Sequence, residues 1–103
     1  MQNFPSAVGI THRFQIGATD ANGNPDPNGI NGAVVWTTST PTLVTLTPNA
    51  GVQNEIQCDV AAQAVGVATV TATWPNEANA SISASFTLTI SDIATSGTFS
   101  ELS

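Results

Sequence analysis

The sequence predicts an all-β domain, an antiparallel two-sheet β-sandwich of about seven strands. Three observations carry that expectation. Apolar and hydroxylated residues alternate with period two along several stretches, as half-buried strands require. Clusters of Asn, Gly and Pro (ATDANGNPDPNGING, TSTPT, TPNAGVQN, AAQAVG and PNEANA) interrupt the chain every 8 to 15 residues or so, each able to end a strand. Helix signals are nearly absent, because Thr, Val, Asn and Ser dominate where Leu, Glu, Lys and Arg would favour helix.

In chain order, the opening MQNFPSAVGI supplies an edge strand, since Pro5 lacks an N–H and is tolerated only at an edge or a bulge. In HRFQIGA, Phe14, Ile16 and Ala18 share one face, with Arg13, Gln15 and Gly17 opposite. AVVWTT around Trp36 and LVTLT from Leu43 to Thr47 are less regular strands, and EIQCDV puts Ile56, Cys58 and Val60 together. ATVTATW sets Ala68, Val70, Ala72 and Trp74 against Thr69, Thr71 and Thr73. ISASFTLTI is the cleanest, with Ile82, Ala84, Phe86, Leu88 and Ile90 inward. DIATSGTFSELS then loses the alternation. The expected organisation is an N-terminal segment or edge strand over 1–10, a sandwich over 11–92 and a C-terminal arm over 93–103, either frayed or docked on a neighbour.

Charge narrows the function. Only 8% of the 103 residues are charged, against roughly a quarter in an average globular chain. One cation, Arg13, faces seven acids, for a net charge of -6. A single cation cannot neutralise a row of phosphates or grip an anionic leaflet, so nucleic-acid binding and polybasic membrane docking are set aside. No apolar run approaches the roughly 18 residues of a membrane span. Met1 is followed by QNFPSAVG, without the basic and apolar regions of a secretory signal. Two readings stay open there: a native start, or the head of a piece of a longer surface protein. Cys58 is the sole cysteine, so no intrachain disulfide and no thiolate zinc site can form, and it is expected in the core.

The segment VVWTTSTPTLVTLTPN resembles the W-x-S-S-x-x-P-x-V-A-x-V stretch of bacterial Ig-like domains of group 2 type, found in intimin- and invasin-like adhesins and in phage tail and capsid proteins. VGVATVTATW is similar to the same family's G-x-A-x-I-T-A-T strand, and ATDANGNP to the D-A-N-G-N-P hairpin of the related group 1 repeats. The matched pieces run in order between Thr11 and Asp92. The resemblance implies an immunoglobulin-like sandwich with Trp36 as its core tryptophan; Val70, Phe86 and Leu88 are the other expected core residues. The chain departs from the family's adhesins in holding one unit, without linkers to further repeats.

Few constellations suggest chemistry. Asp20, Asn22, Asn24 and Asp26 alternate like the first half of a calcium loop, but Pro25 stands where the sharp-turn Gly belongs and Asn31 where the bidentate Glu should be. An Asx-rich turn explains the same letters, and Asp20 and Asp26 remain the weak calcium candidates. No other metal site and no cofactor is expected. His12 is the only histidine and nothing marks a nucleophile elbow, while Glu55, Asp59, Glu77, Asp92 and Glu101 are dispersed. Catalysis is not expected.

Trp74, ending a strand before Pro75, is the aromatic expected at a loop rim and able to contact a sugar or a protein. The absence of Tyr argues against a dedicated carbohydrate-binding surface. Thr-x-Thr ladders face outward, but sheet twist spoils the flat registry that ice binding needs. Edges guarded by neither Lys nor many charges are open to another chain. The expected function is therefore a non-enzymatic structural or interaction module: a phage virion accessory on the capsid or tail surface, or alternatively an Ig-like repeat of a bacterial adhesin or secreted protein. A polysaccharide-binding accessory domain is a third reading. Expected partners are virion or cell-surface neighbours in a symmetric, homo-oligomeric assembly, or host glycans, with Phe4, Phe99 and Leu102 as docking anchors beside Trp74.

Overall fold

The computed structural model describes residues 2–92 and 97–102; Met1 and residues 93–96 of the expected arm lie outside the described residues, as does Ser103. Seven strands form: β1 (Gln2–Ala7), β2 (Thr11–Gln15), β3 (Val35–Thr38), β4 (Val44–Pro48), β5 (Gln57–Ala62), β6 (Gly66–Pro75) and β7 (Ser81–Ser91). They make two sheets, β1-β7-β6-β3 and β2-β5-β4. All the expected strands exist, with boundaries shifted by a few residues. HRFQIGA stops pairing at Gln15, and Glu55 belongs to a single 3-10 turn, Gln53–Glu55, ahead of β5.

One pairing departs from the antiparallel expectation. β1 lies parallel to β7, with Gln2 beside Phe86 and Ala7 beside Ser91. No hairpin joins these strands, which stand at opposite ends of the domain, so no tight turn imposes an antiparallel direction. Pro5 accordingly sits on an edge strand. The chain leaves β1 through a turn at Gly9, whose φ of 87° a side chain would strain, and enters the opposite sheet. There the Val8 N–H donates to the Ser91 carbonyl and the Gly9 N–H to the Ala62 carbonyl, so this crossing ties the two sheets together.

The alternation places the core. Val44, Cys58, Val60 and Ala62 of one sheet meet Ala68, Val70, Leu88 and Ile90 of the other, all buried. Burying side chains of the size of Val70 and Leu88 contributes about 1.5–3 kcal/mol each. A second cluster joins Val34, Ala72 and Trp74, with Ile16, Ala18, Ile30 and Ile56 packed against it. Trp36 touches both clusters, and its indole N–H donates to the Glu55 carbonyl at 2.8 Å. Phe4, Phe14 and Phe86 pack together across the sheets with ring centroids 4.3 to 5.5 Å apart. Phe4, expected as a docking anchor, is a half-buried member of this aromatic cluster, because its strand joins the sheet.

The outer face of the four-stranded sheet is built from Thr, Ser, Val, Asn, Ala and Pro, without a charged side chain among the described residues. Its hydroxyls bond sideways to one another. Thr71 Oγ1 and Ser85 Oγ are 2.8 Å apart, Thr73 Oγ1 and Ser83 Oγ 3.2 Å, and the Thr87 and Thr89 hydroxyls both donate to Asn3 Oδ1. Arg13 lies on the other sheet's outer face, its guanidinium forked onto Asp59 at 2.7 and 3.3 Å. The chain's one Lys or Arg side chain is thus already paired.

Candidate functional site

Two Asx loops at one pole of the sandwich enclose a cleft. In the first, Asp20 Oδ1 accepts the N–H groups of Asn22 and Asn24 at 2.9 and 3.0 Å, while Thr19 bridges Pro25. In the second, between β6 and β7, Asn76 Oδ1 accepts the N–H groups of Ala78 and Ala80, both at 2.9 Å. The two loops repeat one design, in which a side-chain oxygen caps the amides two and four residues on. Asp26 caps Asn28 the same way at 3.1 Å.

The loops are docked through Gly29. A Cβ there would fall 2.5 Å from the Ala18 Cβ, so only glycine allows this approach. The Gly29 carbonyl accepts the Trp74 indole N–H at 3.1 Å. Trp74 is 4% exposed, which corrects its expected place at the rim: the 17–29 loop folds over it and turns it into the floor of the cleft. A Trp74 face is therefore not offered to a sugar.

The cleft, about 390 Å³, lies between Ala18–Asp20 and Asp26 on one side and Trp74, Asn76, Glu77 and Ile82–Ala84 on the other. Glu77 is the residue that sequence reading missed. It is 51 positions from Asp26, yet desolvation, then the Asp26 charge and the hydrogen bond that a protonated Glu77 donates to the Asp26 carboxylate, raise its pKa above the usual carboxylate value. The carboxylates that hold the loops thus make the cleft mouth acidic. Among the described residues, no group of three His, Cys, Asp or Glu side chains is arranged to hold a metal ion. One oxygen of Asp20 and one of Asp26 are already engaged as loop caps.

Beside this cleft a smaller apolar groove of about 100 Å³ opens between the sheets, lined by Phe4, Phe14, Ile16, Trp36, Ala84 and Phe86 with Gln2 and Gln15 at its rim. Ile82, expected inward, is 38% exposed. It keeps the inward parity of its strand, but β1 begins only opposite Phe86 and leaves this end of β7 uncovered. Phe99 and Leu102 are fully exposed, at 106% and 96%.

His12 Nε2 lies 2.9 Å from Ser6 Oγ, a histidine–serine contact that links β1 to β2. His12 makes no hydrogen bond to a carboxylate among the described residues, and neither residue lines the cleft or the groove. The pair lacks the third, orienting group of a triad. Cys58 is fully buried, and burial pushes its thiol up to about 11, the behaviour of a packing residue. No helix among the described residues is long and apolar enough to cross a membrane.

No protein-family model matches this sequence, and a search of curated proteins finds none similar. Solved structures do match its shape. The solution structure of the PKD domain from KIAA 1837 protein superposes with a TM-score of 0.62 over 95% of this chain and 86% of that one, at 16% identity. The crystal structure of the S-layer protein SbsC domains 4 and 5 gives 0.60 over 87% of this chain and 47% of that one, at 21% identity. At such identities the likeness speaks for the fold alone, and with seven strands in two facing sheets that fold is an immunoglobulin-like β-sandwich.

Proposed function

We propose that this chain is a non-enzymatic structural and interaction module, a small accessory of a phage virion that decorates the capsid or tail surface. The observation that carries the reading is the uncharged outer face of the four-stranded sheet. Covering a face normally costs the desolvation of its polar groups. Here much of that cost is already met, because the Thr71–Ser85, Thr73–Ser83 and Thr87–Asn3 contacts satisfy hydroxyls within the face. Apart from Asp59, which lies within β5 on the other sheet and is paired with Arg13, the acids sit in loops, turns and the terminal segment, where they repel other acidic surfaces without blocking contact through the neutral face. The motif resemblance to Ig-like domains of phage head and tail proteins supports the same reading.

The experiment is direct: purified virions from the source phage are imaged and their proteins identified by mass spectrometry. The chain is expected in stoichiometric amounts on the particle surface. Its absence from virions, with the gene continuing into further repeats, would favour the second reading, an Ig-like repeat of a bacterial surface protein. The fold likeness to an S-layer protein supports that alternative. The polysaccharide-binding reading has lost the residue that motivated it, since Trp74 is inside the molecule.

A further inference from the structure

We propose that the uncovered edge of β7 at Ser81–Ala84 receives the C-terminal segment of a second copy of this chain, Thr98–Glu101, as an added parallel strand anchored by Phe99.

β6 pairs β7 along its whole length from Ser81 to Ile90, whereas β1 pairs it only from Phe86 onward. On that side the backbone groups of Ser81–Ser85 have no strand partner among the described residues. An unpaired edge is a template for another strand. This one runs along the cleft and the apolar groove, with Ile82 partly exposed and no Lys, Arg or Pro to block it. The same molecule carries a segment, residues 97–102, that belongs to no strand or helix and whose Phe99 and Leu102 are wholly in solvent.

The chain's own arm is poorly placed to fill its own edge. Along β7, at about 3.3 Å per residue, Ile82 lies roughly 30 Å back from Ser91, while the eight steps from Ser91 to Phe99 span at most about 28 Å when fully extended. That leaves no length for reversing direction and passing around β1, which occupies the near part of the same edge. A second copy has no such constraint. Arm and edge lie at opposite ends of β7, so the contact is heterologous and one copy can engage a neighbour at each pole.

Charge selects the direction. Strand alternation puts Phe99 and Glu101 on one side and Thr98 and Ser100 on the other. Laid parallel, as β1 is, the segment sets Phe99 beside Ile82 over the Trp74 floor and Glu101 beside Ala84, toward the Gln2 and Gln15 amides. An antiparallel strand would instead bring Glu101 to Asp20, Asp26 and Glu77. In the parallel arrangement Thr98 and Ser100 continue the hydroxyl-bearing outer face. This inference does not depend on whether the chain decorates a virion or a cell surface.

Four paired residues and one ring bury less than the roughly 1,200 Å² of a stable interface, so the dissociation constant is expected on the order of 0.1–1 mM. Sedimentation of the full chain from about 10 µM to about 1 mM should show mass rising with concentration. Phe99→Asp, in the exposed arm where it cannot disturb the core, should weaken that association at least tenfold, as should removal of 97–103; Ile82→Lys should do the same from the edge. Mixing Ser83→Cys with Ser100→Cys under mild oxidation should trap a disulfide-linked heterodimer in excess over either homodimer, Cys58 being buried. A chain that stays monomeric across the range, or whose association is unchanged by Phe99→Asp and by the truncation, overturns the proposal.

Discussion

Replacing Trp74 by phenylalanine tests the packing of the cleft floor. The change removes the indole N–H that the Gly29 carbonyl accepts at 3.1 Å, and with it part of a side chain that is 4% exposed. An acceptor left without its donor in a buried site costs about 1–3 kcal/mol. The Gly29 backbone borders the cleft, where water can partly replace the indole, so the lower end applies. The lost apolar contacts of the smaller ring, at about 0.8 kcal/mol for each buried carbon, add about 2 kcal/mol. The total is near 3 kcal/mol, which in a domain of this size lowers Tm by roughly 12–20 °C. Urea denaturation read by circular dichroism measures the loss, and the tryptophan emission remaining in the variant belongs to Trp36. A loss below about 0.5 kcal/mol, the range of an exposed surface change, would refute the account and return Trp74 to the loop rim.

Other outcomes follow from the same geometry. Cys58, buried and with its thiol raised to about 11, should resist thiol reagents at pH 8 in the native protein and react fully in denaturant; rapid native labelling would mean that the core opens there. Asp20→Asn should leave stability within about 0.5 kcal/mol of the parent, because the loop needs an acceptor rather than a charge, whereas Asp20→Ala should cost about 1 kcal/mol in thermal melts. If instead Asp20→Asn were as damaging as Asp20→Ala and calcium raised Tm only in the parent, the carboxylate would be a metal ligand. The hydrogen bond from Arg13, opposed by slight desolvation and aided by its charge, lowers the Asp59 pKa below its ordinary value. The ion pair's contribution is thus present above the ordinary carboxylate value near 4 and lost as pH falls through the depressed one. The stability gap between the parent and Arg13→Gln should therefore close in acid, and a gap that is constant from pH 7 to pH 2 would contradict the pairing.

The strands and their inward faces were legible because alternation is a local signal. Val70 and Leu88 could be placed in the core from neighbours two positions away, and their burial follows from the same parity. The same parity set both Ile82 and Trp74 inward, yet Ile82 is 38% exposed and Trp74, read as a rim residue from its place at the strand end, is buried. It states which side of a sheet a residue faces, and leaves open what lies over it. Trp74 is covered by a loop 45 residues upstream, held by Gly29, and that loop was read only as a run of turn formers. Ile82 is uncovered because β1 starts at the level of Phe86, a register set between the two ends of the chain. Asp26 and Glu77 converge for the same reason, and no spacing in the sequence announced it.

The composition by itself determined that the sheets present hydroxyls instead of charges, and that no row of cations exists to meet a polyanion. Period-two order determined the strands and the parity of each side chain, since both depend on residues within a few positions of each other. Only the tertiary structure decided that β1 runs parallel to β7, that the sole cation is held by Asp59, that the two Asx loops enclose an acidic cleft, and that Ser81–Ser85 of β7 have no strand partner on one side among the described residues. Each of these is a contact between residues far apart in the chain, set by which faces and edges remain to be covered once the local strands have formed.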